Sequence, residues 1–363
     1  MPVEFIGYIS HADQSEIRPA KGDALDQDHL LRTAQAHEAA GFDRVLVAHH
    51  SSNPDGILLA AHVAAQTTTL QFMIAHRPGF IAPTYAARLF ATFDQLTKGR
   101  AGIHIITGGN DAEQRQDGDF LDHAARYERT DEWLEIVRRT WTSAAPFDFR
   151  GKHFQVEQAF SKIKPLQKPY LPVFFGGASD IAIEVAGRHA DVYALWGEPV
   201  EDVRAMIARV RASVARAGRD PAKIKFSLSL RPVLADTEEA AWRRADGILE
   251  KIRALRGDKF GKGTAKPQSE GSARLLRVAA GGRVRDARLW TEVAAAVGAG
   301  ANTTGLVGTP EQVAASMLDY AAVGVDAFLI RGFDPLADAV DYGRALIPLV
   351  RERLAHLPTA AAA

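Results

Sequence analysis

Histidine and arginine recur in this 363-residue sequence at one kind of position, directly behind short apolar runs. Ser10-His11 follows the first run, His49-His50-Ser51-Ser52-Asn53 the second, His76-Arg77-Pro78 the third and Thr107-Gly108-Gly109-Asn110 the fourth. Gly176-Gly177-Ala178-Ser179-Asp180, Trp196-Gly197-Glu198, Arg231 and Arg331 follow the other four. Imidazoles and guanidiniums with few carboxylates beside them suit anion binding and hydrogen bonding. They suit a divalent metal poorly, because such sites want carboxylates alongside histidine, and His49 and His50 point to opposite sides of an extended chain. No metal site is expected. The glycine pair at 176–177 lies between an apolar run and a helix start, where backbone N–H groups collect phosphate.

Other chemistries lack their residues. There is no G-x-G-x-x-G behind a strand, Gly257–Thr264 misses the P-loop spacing, and no G-x-S-x-G elbow occurs. The absence of cysteine removes thiol nucleophiles, disulfides and zinc-thiolate sites, and predicts a cytoplasmic protein. With no nucleophile in view, the hard chemistry falls to a bound cofactor.

The elements that must position these residues are legible as eight short apolar runs. They are Glu4–Ser10, Arg44–Val47, Leu70–Ala75, Gly102–Thr107, Pro172–Gly176, Val192–Leu195, Ile224–Leu230 and Ala327–Ile330. Three are preceded by a helical stretch, a glycine (Gly41, Gly187, Gly324) and an aspartate, which predicts a glycine-terminated helix leading into a strand. Thr309-Pro310-Glu311-Gln312 predicts a helix start with a capping box. Eight strand–helix alternations predict an α/β fold, a (β/α)8 TIM barrel with insertions, as a single domain over 1–356. The largest insertion, about 253–288, is rich in arginine, lysine and glycine and follows strand seven, which predicts a basic lid at the catalytic mouth. Residues 357–363 read as a disordered tail. Lysine plus arginine (44) equal aspartate plus glutamate (44), so no global field favours nucleic acid or an anionic membrane. No apolar run is long enough for a membrane helix, and the N-terminal stretch is too soon interrupted by His11 and Asp13 to read as a secretion signal.

Several motifs, in order, resemble one family. Phe120-Leu121-Asp122-His123-Ala124-Ala125-Arg126-Tyr127-Glu128 resembles the F-L-D-H-x-x-R-Y-E segment of the bacterial luciferase-like flavin monooxygenases, most closely the FMNH2-dependent alkanesulfonate monooxygenases. Arg77-Pro78, Pro83-Thr84, Asp94-x-Leu96-x-x-Gly99-Arg100, Thr107-Gly108, Phe175-Gly176-Gly177-x-Ser179-Asp180, Trp196-Gly197-Glu198-Pro199, Leu306–Pro310 and Gly324-Val325-Asp326 continue the match in register. The resemblance implies a barrel with an insertion after strand seven, FMNH2 as co-substrate and O2 as oxidant. It implies that His123, Tyr127, Ala178 and Ser179 hold the FMN phosphate while Ala75 and Thr107 lie along the isoalloxazine. It further implies a two-component system, in which an NAD(P)H-dependent FMN reductase supplies FMNH2 and a peroxyflavin cleaves an organosulfonate to a carbonyl product and sulfite. Homo-oligomers, dimers or tetramers, go with the same family.

The sequence departs from the alkanesulfonate pattern around the substrate. The family's cysteine falls at Asn53, its R-x-H after strand seven becomes Ser229-Leu230-Arg231, its last tyrosine becomes Phe333, and its lid arginine falls near Gly298. Arg231 and Arg331 keep the site cationic, and His11 and His50 offer hydrogen bonds to a more polar sulfonate such as a sugar sulfonate. Trp196 is expected as a pocket wall. The alternatives are a flavin or deazaflavin oxidoreductase acting on another substrate, and a flavin-free barrel enzyme acting on a small phosphorylated molecule.

Overall fold

A computed structural model describes residues 3–20, 22–259 and 267–356. Eight parallel strands close into a barrel: β1 (Glu4–Ile9), β2 (Arg44–Val47), β3 (Gln71–His76), β4 (Ala101–Ile105), β5 (Val173–Gly176), β6 (Val192–Trp196), β7 (Lys225–Leu234) and β8 (Ala327–Ile330). β8 completes the ring by pairing with β1, Phe5 opposite Phe328, and with β7 on its other side. The eight runs expected from sequence are these strands, two of them with identical ends and the others with ends shifted by up to four residues.

Side chains alternate in and out of the wall, and each direction has its own composition. Phe5, Val45, Phe72, Ile103, Val173, Phe226 and Phe328 point outward against the helices and belong to the main apolar core. Ile6, Leu46, Met73, Phe174, Val192, Ala327 and Leu329 point inward and fill the middle of the barrel. Below them Arg44 seals the N-terminal end. Its Nε is 2.6 Å from Glu4 Oε1, Nη2 donates to Gln71, and the guanidinium lies 5.0 Å from the Phe174 ring centre. A fully plugged lower barrel leaves the upper end as the place where ligands enter.

The expected connections hold in part. Gly41 and Gly324 have φ of +79° and +107°, the left-handed backbone that ends a helix before a strand. Gly187 is different: it lies inside the helix Asp180–His189, whose C-cap is Ala190. Its role is close packing, because a Cβ there would come within 2.5 Å of Ser213 Oγ and 2.9 Å of the Ser213 backbone on the neighbouring helix Val200–Arg216. The capping box at Thr309 and Gln312 is present and starts the helix Pro310–Ala322.

The insertion after β7 is larger than the expected 253–288. It contains the helices Glu238–Arg256, Glu270–Ala280 and Glu292–Val297, a small hairpin (Val284–Arg285, Leu289–Trp290) and the strand Gly305–Gly308. That last strand pairs in parallel with the upper half of β7, Gly305 opposite Arg231 through Gly308 opposite Leu234. β7 is ten residues long because its lower half belongs to the barrel and its upper half to this added sheet. A second hairpin, Phe147–Arg150 with Gln155–Ala159, lies between β4 and β5. Part of the expected lid, 260–266, and the expected tail, 357–363, lie outside the described residues. No helix among the described residues is long and apolar enough to cross a membrane.

Two of the helical glycines, Gly187 and Gly247, make a paired test. Gly187→Ala is expected to destabilise by about 1–3 kcal/mol through overpacking against Ser213. Gly247→Ala, in a helix where an added Cβ meets nothing within 4 Å, is expected to be neutral or stabilising by up to about 1 kcal/mol. Urea midpoints of the two variants and the parent read both.

Candidate active site

The upper end of the barrel carries four groups of polar side chains. The first joins the loop behind β4 to two helix starts. Ser179 caps the helix Asp180–His189, and Tyr127 sits on the first turns of the helix His123–Thr142. The Tyr127 hydroxyl is within hydrogen-bonding reach of Thr107 and Ser179, while burial raises the phenol above its ordinary value and keeps it a neutral donor. The His123 ring lies 5.0 Å from the Tyr127 ring, and burial first, then the Arg126 charge, draws its imidazole below the usual range. Gly177 gives this group its shape. Its φ is +147°, and a Cβ would lie 2.6 Å from Tyr127 Oη, while its carbonyl accepts from Tyr193. The structure thus brings His123, Tyr127, Thr107, Ala178 and Ser179 to one place. Neutral donors at a capped helix N-terminus, beside a glycine that leaves room, fit the phosphate of a mononucleotide.

The second group is the floor. Ala75, Gly176 and Ala194 face inward from β3, β5 and β6 with little or no side chain, and Ala75 is the register partner of His104 on β4. His104 was not singled out from sequence, because it lies within a strand rather than behind one. Burial holds its imidazole at about 4, so it is neutral. Trp196, expected as a pocket wall, ends β6. The helix Glu270–Ala280 covers it closely, since a Cβ on Gly271 would lie 2.9 Å from the indole. Arg274 holds that helix down through two contacts with Glu198, one of them 2.8 Å.

The third group joins the two expected cations, Arg231 and Arg331, to a carboxylate that was not expected. Arg231, fully buried, lies 3.6 Å over the Phe333 ring, and Arg331 lies 4.7 Å over the Tyr8 ring. Both converge on Glu16, whose carboxylate is 2.9 Å from Arg231 Nη2 and 2.5 Å from Arg331 Nη2. Burial alone would raise the Glu16 carboxyl; the charges of Arg231 and Arg331 and the bond from Arg231 overcome it and hold the group at about 2. Burial and Arg331 draw Arg231 below its usual value, yet a guanidinium is basic enough to stay charged. Two positive charges and one negative charge leave the cluster one positive. Arg231 Nε and Arg331 Nε are buried without an acceptor.

The fourth group lies behind β2 and β3. Arg77 is 2.5 Å from Glu113, which also accepts from the Ser51 backbone, and Ser51 Oγ is 2.7 Å from Asp117. His50 is half-exposed and turns to Ser52 (2.8 Å) and Glu113 (3.5 Å), and His11 turns to Gln14 (3.4 Å). Neither is hydrogen-bonded to Arg231 or Arg331, so the structure does not gather the two histidines around the arginine pair. His76 is packed outside the mouth, its ring 5.0 Å from Trp133. The upper end is therefore richer in carboxylate than expected, with Glu16, Glu113 and Asp117 in addition to Glu198. A signal was present: arginine destined for burial requires a counter-charge.

Comparison with known proteins agrees with this architecture. The profile of the luciferase-like monooxygenase family matches residues 6–327. Among solved structures, a riboflavin lyase with modified FMN and riboflavin superposes with a TM-score of 0.80 at 20% identity, over 100% of this chain and 94% of that one. EDTA monooxygenase from Chelativorans sp. BNC1 gives 0.78 at 20% identity (99% and 95% covered), and a long-chain alkane monooxygenase 0.78 at 18% (97% and 92%). The chain belongs to the luciferase-like monooxygenase family, and so to the flavin-dependent oxidoreductases.

The Glu16 cluster sets an acid limit on stability. Its carboxyl is lower in the folded chain (about 2) than its ordinary value of 4.5, so its contribution is complete above 4.5 and lost as pH falls towards 2. That contribution is on the order of 2–3 kcal/mol. Glu16→Gln is expected to lower stability at pH 7 by a few kcal/mol, because two buried guanidiniums lose their counter-charge. It should also flatten the fall between pH 4.5 and 2, as measured by urea unfolding across that range.

Proposed function

We propose that the protein is an FMNH2- and O2-dependent monooxygenase acting on a small organic monoanion, with organosulfonates, alkane or sugar, as the substrate class. The observation that carries this reading is the opposition of two sites across one mouth. The neutral phosphate cradle stands by β4 and β5, the singly positive Arg231–Arg331–Glu16 cluster by β7 and β8, and a floor of small side chains lies between them. The structural relative solved with modified FMN supports a flavin in a barrel of this shape.

Bound reduced flavin supplies the electrons that activate O2. The chain's own residues do the rest. His123, Tyr127, Thr107 and Ser179 hold the phosphate, and Ala75 leaves room for the ring system. Trp196 and the helix Glu270–Ala280, pinned by Arg274 to Glu198, exclude water from above. Arg331, the partly exposed member of the Arg231–Arg331–Glu16 cluster, seats a sulfonate, whose single charge matches the cluster's surplus. Loss of sulfite leaves the carbonyl product. In this reading FMNH2 arrives from a separate NAD(P)H-dependent reductase.

The test couples such a reductase, NAD(P)H, FMN and O2 to the protein and measures sulfite across a panel of alkane and sugar sulfonates. Sulfite that depends on all components is expected from at least one of them; flavin binding without sulfite from any would remove the sulfonate assignment. Arg331→Ala is expected to raise KM by about 10–100-fold with FMN affinity unchanged, since a charge-assisted bond is worth about 1.5–3 kcal/mol. His123→Ala should weaken FMN binding instead.

A further inference from the structure

His104 faces the barrel interior from β4, in register with Ala75. Among the described residues neither of its ring nitrogens has a hydrogen-bond partner, and Nδ1 is sealed off. The ring is neutral and therefore carries one proton. A sealed N–H without an acceptor is the costlier defect, since buried donors are almost always paired while acceptors more often go unmet. The proton therefore resides on Nε2, beside Gly176, where an added Cβ would lie 3.7 Å from that nitrogen and 3.5 Å from Cε1. On either side the wall is low, with Ala75 opposite on β3 and Gly176 and Ala194 beyond. A flat slot with one neutral donor at its base has the shape and polarity of a planar heterocycle rimmed with acceptor atoms. His104 is also three residues before Thr107, which reaches the phosphate cradle through Tyr127.

We propose that His104 is a flavin-binding residue whose Nε2–H donates to an acceptor atom of the isoalloxazine ring. The proposal rests on the flavin reading above and goes beyond it by assigning the ring's polar contact to a strand residue. Given to the N1–C2=O edge, where negative charge collects on reduction, the N–H stabilises the more electron-rich reduced ring, so the contact favours FMNH2 over FMN.

Anaerobic titration with FMN and FMNH2 tests it in the parent, His104→Leu and His104→Asn, with folding checked by circular dichroism. His104→Leu is expected to lose about tenfold in FMNH2 affinity, less in FMN affinity, and to shift the visible absorption of bound FMN, whereas His104→Asn, which keeps an N–H donor, restores most of both. If the parent binds flavin and His104→Leu matches it in affinity and spectrum, the assignment of His104 is overturned and the flavin reading stands. If the parent binds neither FMN nor FMNH2, both are overturned. Nitrogen-15 histidine NMR on the parent needs no variant: it should show a neutral Nε2–H ring whose signal moves on FMN addition, and a static signal counts against the proposal.

Discussion

Pairing of β8 with β1 closes the sheet, and closure gives every strand one face for the helices and one for the barrel interior. Outward positions must be apolar along their whole length, which makes the strands readable. Inward positions need only fill the tube, so their composition is free to change with height. At the bottom Arg44, Glu4 and Gln71 plug it, in the middle seven apolar side chains fill it, and at the top the side chains shrink to Ala75, Gly176 and Ala194. The site follows from that taper. It is the level at which the interior stops packing against itself.

Electrostatics then divides the mouth. The side near β4 and β5 presents neutral groups at a helix end, with the paired charges of Arg126 and Asp111 beside them. The side near β7 and β8 binds with net charge, trimmed by Glu16 from two to one. The trimming has a structural cause: Arg231 is fully buried, and an unpaired guanidinium there would be far costlier than a paired one. The long β7 serves both needs, because its upper half, paired with Gly305–Gly308, carries Arg231 above the barrel wall while Ser227 and Ser229 stay within it.

Much of this was legible in the amino-acid sequence, and the gaps have physical reasons. Strands buried on both faces read as apolar runs, and glycines at positive φ marked the ends of helices at Gly41 and Gly324. Gly187 looked identical in sequence but answers to a neighbouring helix, a contact no local pattern reveals. The strand Gly305–Gly308 is four residues long with glycine at both ends, too short to announce itself. In the site, the Gly176–Ser179 cradle was visible as a glycine turn entering a helix. His123 and Tyr127 are about fifty residues upstream of it and were legible only through resemblance to a family. Glu16 and Glu113 were missed because each lies several residues beyond a strand end, in segments that fold back over the mouth.

His104 was missed for the opposite reason, and the difference bears on how barrel sites are read. Strand-end counting assumes that functional groups sit above the wall, where loops present them. A flat ligand lying on the floor touches the last inward residue of each strand as well, and those residues are judged by how they fill space. Inward alanines and glycines are then not merely small; they set the height of the floor. A buried imidazole among them, neutral and without a protein partner, is conspicuous because the interior pays for an unmet donor unless something else accepts its proton.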